Sequence, residues 1–477
     1  MKIMFVAWDD KSFRERGLII YLKDLARNLS KRGHSIYLFS SGHYDWKLHP
    51  YLKKTLHKEL KQYELVNSPN LPLFHKGQPY HDISHTQIEI IFKRVLNEVK
   101  PDLVVFREFE GLCANLIMVA KRFNSTKTVC MLGNYSIICP EIELYNLVKK
   151  ENCIDYDNGK NCVECNISSN DKVFLSRFFT FLFNKEKNFY IKARLLKDFS
   201  IKKIISIITK IKNEQNPITN PNQYRFRREE FVKIINNCDL LIAISKRQAE
   251  IFVNYGIDLD KIRVVSMAMS HQDKINFKPF SNNGTPITFG YIGRINKLKG
   301  CEILIQAFMK LQNDKQCRLL LFGTLNNDFY QKYRFILKSK NNNIFYKGYY
   351  TLTHLNYILK NIDIGIIPSI WEECYGHVGP EFLSASIPVI GSNIGGIPDY
   401  LIHKKNGFLF TPNDADDLAS KMKTFVSNPD LILQMKGNIE HKPRYSGHIA
   451  LMEKIFLDVC NNNIDGIERL NLTSWVQ

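Results

Sequence analysis

The first forty residues carry a pattern that very few folds accommodate. Lys2 to Ala7 is a short apolar run, a polar loop follows through Arg14, Glu15, Arg16 and Gly17, and Leu18, Tyr21, Leu22, Leu25 and Leu29 then recur at three- and four-residue spacing. The run reads as a buried strand and the recurrence as an amphipathic helix. Gly33 ends that helix, and Ile36 to Phe39 opens the next strand. In such a β-loop-α-β unit Gly17 sits where backbone approaches a ligand or another element closely, or is a plain loop glycine.

The alternation continues. Residues 44–83 are polar and weakly patterned and read as loops with a short helix. Helical spacing returns over Ile88 to Leu96, Pro101-Asp102 introduces the strand Leu103 to Phe106, and a helix from about Leu112 to Arg122 leads to the strand Thr128 to Leu132. Leu240 to Ser245 and Val264-Val265 are the last strands of the first half. The second half repeats the scheme with strands Ile287 to Ile292, Arg318 to Phe322, Ile344 to Tyr346 and Ile362 to Ile367. Strands alternating with helices predict parallel, doubly wound sheets.

A chain of 477 residues exceeds one ordinary core at about 150 residues per domain. The expected fold is α/β: two doubly wound, Rossmann-like domains facing across a cleft, with a basic helical insertion in the first. The expected boundaries are 1–269, a linker at 270–286 rich in turn formers, 287–444, and a helical tail at 445–477 packing back on the first domain. With 44% hydrophobic and 24% charged residues the composition is globular, not disordered.

Two segments stand apart from the alternation. Cys139, Cys153, Cys162 and Cys165 lie within a loop, the last pair as Cys-x-x-Cys. Four thiolates satisfy a tetrahedral structural zinc, and free buried thiols are the alternative. Lys172 to Lys212 carries eleven Lys or Arg against two acidic residues, interleaved with Phe174, Phe178, Phe179, Phe183, Ile201, Ile204 and Ile208. That pattern suits an amphipathic helical pair lying on an anionic membrane surface, or an ordinary helical insertion packed on its domain. The net charge of +19 by itself favours any anionic partner. No nucleic-acid motif accompanies it, so nucleic acid is not expected. The opening Met-Lys-Ile-Met-Phe-Val is already a strand, with no signal-peptide pattern, and no apolar run reaches about 18 residues. The expected location is the cytoplasm, peripherally on the inner face of the plasma membrane.

Pro368 to Pro398, PSIWEECYGHVGPEFLSASIPVIGSNIGGIP, concentrates the chemistry. It leaves the carboxyl end of a buried strand, where open α/β sheets bind ligands. Glu373 and Glu381 flank a glycine turn, and Glu381 stands in the first turns of a helix whose N-terminus suits an anion. Arg294 and Lys299, five apart in the loop after the first strand of this half, supply two cations for a diphosphate. His377 either helps to bind phosphate or is a turn residue.

Taken together, GYIGRINKLKG (290–300), Gly323 after its strand, PSIWEECYGHVGPEF (368–382), IPVIGSNIGGIPDYL (387–401) and NGFLF (406–410) resemble the nucleotide-sugar-binding domain of the GT-B glycosyltransferases. The likeness is to the retaining glycosyltransferase family 4, the glycosyl transferases group 1. MKIMFVAW, KPDLVVFRE (100–108), Cys139-Pro140 and CDLLIAIS (238–245) extend it to the first half. The resemblance implies a hexosyltransferase-type enzyme that moves sugar from a UDP- or GDP-sugar to a cell-surface glycan or lipid-linked acceptor, as in polysaccharide or lipopolysaccharide biosynthesis. It implies retention of configuration and no catalytic metal. Arg294 and Lys299 would bind the diphosphate, Glu381 the ribose and Glu373 the sugar, with the backbone of Gly376, His377 and Val378 on phosphate and Gly17 and Gly323 lining the donor site. One departure is Gly133-Asn134, where the family commonly has His-Asp. It leaves open a catalytically degenerate GT-B subunit acting as a binding or scaffold partner.

Overall fold

The computed structural model describes residues 1–9, 17–43, 49–56, 60–70, 79–153, 157–165, 219–277, 279, 286–311, 316–339, 342–439 and 445–464. The basic segment 172–212 lies outside them. The chain forms two compact units: Met1–Ala243 with Glu250–Arg263 and Met452–Gln477, and Val264–Leu451 with Ile244–Ala249.

The first unit is built on an eight-stranded sheet: β1 (Lys2–Trp8), β2 (Ser35–Ser41), β3 (Tyr51–Leu56), β4 (Lys61–Val66), β5 (Leu103–Phe106), β6 (Lys127–Leu132), β9 (Leu240–Ala243) and β10 (Ile262–Val264). Between β6 and β9, β7 (Tyr145–Asn146) and β8 (Glu151–Asn152) form a separate antiparallel ribbon. The order is β10-β9-β6-β5-β1-β2-β4-β3, and β3 runs antiparallel to β4 at the edge. The central strands are apolar on both faces because helices cover both: Ile3, Phe5, Val104 and Phe106 are fully buried.

Strands β3 and β4 fall where loops were expected. In β4, KQYELV, Gln62 and Glu64 are buried although polar. The Gln62 amide donates to Asp9 Oδ2 (3.1 Å) and Ser40 Oγ (3.0 Å). A strand that buries polar side chains shows no apolar signature, which is why the pattern was silent.

The second unit holds six parallel strands: β11 (Ile287–Ile292), β12 (Cys317–Phe322), β13 (Ile344–Gly348), β14 (Ile364–Ile367), β15 (Val389–Ser392) and β16 (Gly407–Phe410), in the order β13-β12-β11-β14-β15-β16. The order reverses between β11 and β14, which pair directly. The expected linker contributes structure of its own, a 3-10 turn at Ser270–Lys274 within this unit. Of the helix Tyr445–Cys460, the portion from Met452 onward belongs to the first unit, where Phe456 meets Phe5 at 6.4 Å.

One device recurs in both sheets. Asp102, Asp239 and Asp363 each stand just before a strand, and their carboxylates accept the N–H of Lys2 (2.7 Å), Thr128 (2.8 Å) and Thr288 (2.8 Å) on the neighbouring strand. Each satisfies a backbone donor at the sheet's amino edge.

Candidate active site

The loops that leave β11 and β14 come from the two strands at which the order of the second sheet reverses, and a crevice opens at such a point. Glycine fixes how close those loops run. Gly300 has φ +69°, and a Cβ there would lie 1.6 Å from the carbonyl oxygen of Pro368. At Gly323, φ +142°, a Cβ would meet the Gly293 carbonyl oxygen at 1.7 Å. Gly323 therefore sets the path of the loop carrying Arg294, a packing role the sequence did not separate from ligand contact.

Within this crevice Lys299 Nζ donates to Glu373 Oε1 (2.8 Å) and Oε2 (2.6 Å), and Ser369 Oγ donates to Oε2 (2.9 Å). The ammonium also stands 5.1 Å from the centre of the Trp371 ring. Glu373 is 7% exposed. Burial pushes its carboxyl upward, but the charge and hydrogen bonds of Lys299, the Ser369 hydroxyl and the charge of Arg294 outweigh burial and hold it below the ordinary carboxylate range. The result is an ionised carboxylate in a low-dielectric site.

Glu381 stands in the first turn of the helix Val378–Ser384 and is 6% exposed. Its Oε1 lies 2.7 Å from His271 Nε2. His271 belongs to the segment expected as linker, and nothing in its local sequence marked it. Gly376 precedes the helix with φ +76°, and Tyr375 packs edge-on against Tyr400 at 5.4 Å. Glu372, next to Glu373 and also missed, is 5% exposed and takes Arg247 Nη2 at 2.9 Å. Gly396 N–H donates to the Glu373 carbonyl at 2.7 Å, and a Cβ on Gly395 would reach that carbonyl oxygen at 2.2 Å. The Gly395-Gly396 turn thus clamps the backbone of Glu373.

Lys299, Glu373 and, through its charge, Arg294 therefore belong to one group, with Gly376 beside it: a Cβ on Gly376 would stand 3.3 Å from Glu373 Cγ. His377 and Val378 follow in the same loop and helix. Gly17 opens the helix Gly17–Lys31 of the first unit, at the border of the described residues.

The cysteines do not assemble as a zinc site: among the described residues no three His, Cys, Asp or Glu side chains converge to hold a metal. Cys139, Cys162 and Cys165 are buried and Cys153 is partly exposed. Burial pushes the Cys139 thiol up to about 12 and raises those of Cys162 and Cys165. Cys165 Sγ accepts the Leu147 N–H at 3.2 Å, and Arg228 Nη2 reaches Cys162 Sγ at 3.8 Å. They act as small buried groups that pin the loop to its surroundings.

Two doubly wound units of this topology define the GT-B class of glycosyltransferase fold. Residues 272–442 match the glycosyl transferases group 1. An uncharacterized glycosyltransferase of Methanocaldococcus jannaschii, MJ1607, is 25% identical over 203 residues, 40% of this chain and 51% of that protein. The capsular polysaccharide biosynthesis glycosyltransferase CapM of Staphylococcus aureus is 27% identical over 146 residues, 30% of this chain and 37% of CapM. The chain thus spans about half or less of the length of these relatives. Anabaena Alr3699/HepE, solved in complex with UDP, matches 98% of each chain with a TM-score of 0.55 at 16% identity, a likeness of fold.

Proposed function

We propose that this chain is a retaining glycosyltransferase of family 4 that moves a sugar from a UDP- or GDP-sugar to a cell-surface glycan or lipid-linked acceptor. The observation that carries the reading is the buried, ionised Glu373 held by Lys299 where the second sheet's strand order reverses. An ammonium has three donors, and Lys299 directs two at Glu373. The third remains for a donor diphosphate, with Arg294 as second cation. Positive charge on both sides of the departing phosphate stabilises the leaving group without a catalytic metal. Glu373 faces the transferred sugar and its fixed negative charge favours the positive charge that develops at the anomeric carbon. Glu381, oriented by His271, accepts from the ribose hydroxyls, and the backbone of Gly376, His377 and Val378 contacts the phosphates.

A UDP donor is supported by HepE, solved with UDP, and a surface polysaccharide by CapM. Attachment to the inner face of the membrane through 172–212 is part of the same proposal, and no helix among the described residues is long and apolar enough to cross a membrane. Deleting 172–212 releases the protein from anionic liposomes if that attachment is right, and unchanged sedimentation refutes it.

Gly133 in place of the family histidine favours one rival, a subunit that binds donor without turnover. Incubating the protein with a panel of UDP- and GDP-sugars and a glycan acceptor pool, and following nucleotide release, separates the two. Release by wild type that Lys299→Ala abolishes supports the enzyme. Donor binding by calorimetry with no release supports the rival.

A further inference from the structure

The first unit contains a cavity of about 760 Å³ that the site above does not use. It opens between the edge strand β3 and the segment running from the helix Pro79–Ile83 into the helix Thr86–Val99, and its walls include Tyr51, Leu52, His81, His85, Ile90 and Arg94. Tyr51 pairs with Val66, the last residue of β4, so the cavity lies at the carboxyl edge of the sheet, where α/β folds bind ligands. Its volume suits a small ligand of one to a few rings.

The charge of this cavity is one-sided. Among the described residues no carboxylate lines it. The acidic side chains on the neighbouring helices each have donors already: Asp82 takes Arg227 Nε at 2.6 Å, Glu89 takes two groups of the cavity wall, Ser84 Oγ at 2.6 Å and the His85 N–H at 3.1 Å, and Glu98 takes Lys54 Nζ at 2.5 Å and the Tyr63 hydroxyl at 2.9 Å. Glu98 is the carboxylate one helical turn beyond Arg94, and with it taken, Arg94 makes no ion pair among the described residues. The His81 and His85 rings stand edge to face at 5.3 Å. A guanidinium and two imidazoles therefore share the lining with Tyr51, Leu52 and the 49%-exposed Ile90. A guanidinium binds phosphate or carboxylate through paired N–H groups, while aromatic and aliphatic walls receive the apolar face of a sugar ring.

We propose that this cavity binds an anionic saccharide, carrying phosphate or carboxylate, as a subsite for the acceptor; the assignment rests on the glycosyltransferase reading. Titration of the full chain with glucose 6-phosphate, glucuronic acid, inorganic phosphate and glucose, read by saturation-transfer NMR and calorimetry, tests it. Both charged sugars, or one of them, saturate wild type with transfer to ring protons, and the stronger identifies the anion. Arg94→Glu weakens that binding about tenfold or more, and Tyr51→Ala weakens it while Arg94→Lys retains part. Arg94 is exposed, so its variants keep the fold. Equal binding by Arg94→Glu, no binding of either charged sugar, or phosphate binding with no ring-proton signal overturns the proposal. UDP titrated into the same samples keeps the two readings apart. UDP binding without saccharide binding refutes the subsite alone, and saccharide binding lost in Arg94→Glu with no UDP or GDP-sugar binding refutes the transferase reading alone.

Discussion

Lys299 and Glu373 stabilise each other in a site neither would occupy alone. Removing the lysine leaves a buried carboxylate whose upward push from burial is no longer outweighed, so in Lys299→Ala the Glu373 carboxyl titrates above its wild-type value, and the fold loses about 3 kcal/mol. Chemical denaturation measures this, and Lys299→Ala/Glu373→Gln recovers part of the loss while remaining inactive. On the proposed transfer, Glu373→Gln alone lowers kcat by about 100-fold or more in the nucleotide-release assay. Because the folded carboxyl lies below its unfolded value, its stabilising contribution is full above the unfolded pKa of about 4.3 and is lost as pH falls through the folded one. Activity that disappears between pH 7 and 6 through protonation of Glu373 contradicts this. His271 contacts Glu381, so on the proposed ribose role of Glu381 His271→Ala raises the donor KM more than it lowers kcat. Glu373, Lys299 and Glu381 stand out in the sequence as candidates because each belongs to a local motif. His271, Glu372 and Arg247 do not, since their partners lie 110 and 125 residues away.

At the scale of elements, aspartates placed before strands tie neighbours together. Asp239 is the most heavily used: beyond the Thr128 N–H it accepts the Thr128 hydroxyl at 2.9 Å and Lys121 Nζ at 2.9 Å. Burial pushes its carboxyl up, and Lys121 with the two Thr128 donors outweighs burial and lowers it. Asp239→Ala costs about 1–3 kcal/mol, read as a lower denaturant midpoint at unchanged slope. That contribution is present above the unfolded aspartate pKa of about 3.9 and fades as pH falls through the lower folded value. The loops at the second sheet's reversal are fixed by backbone packing. Gly300→Ala forces the β11 loop off Pro368, so the proposed nucleotide binding weakens on titration even though no side chain assigned to the donor has changed. Periodicity located β1, β5, β6, β11 and β14 because they are apolar on both faces. It passed over β3 and β4, where an edge position and buried polar side chains erase the alternation.

For the molecule as a whole, chain order and unit membership differ. Residues after Met452 complete the first unit although they follow the second in sequence. Met452, Ile455, Phe456 and Val459 are buried there, each worth about 1.5–3 kcal/mol, and Glu453 takes Arg32 Nε at 2.6 Å and His34 Nε2 at 2.8 Å. Truncation at Leu451 therefore lowers the melting temperature of the first unit more than that of the second, which differential calorimetry resolves as a split transition. A single unsplit transition at the wild-type temperature refutes it.

The sequence by itself determined the fold class, the likeness of residues 272–442 to the glycosyl transferases group 1 and the loops that carry Arg294, Lys299, Glu373 and Glu381, because strand–helix alternation and a glycine-bearing motif are encoded within tens of residues. Only the tertiary structure decided that Lys299 neutralises Glu373, that His271 orients Glu381, that Gly300 and Gly323 serve close packing of loops, and that Cys139, Cys162 and Cys165 stay buried thiols with Cys153 partly exposed. Each of these depends on a distance between side chains or loops far apart in the chain, and such distances are set by how the sheets close and not by any local preference.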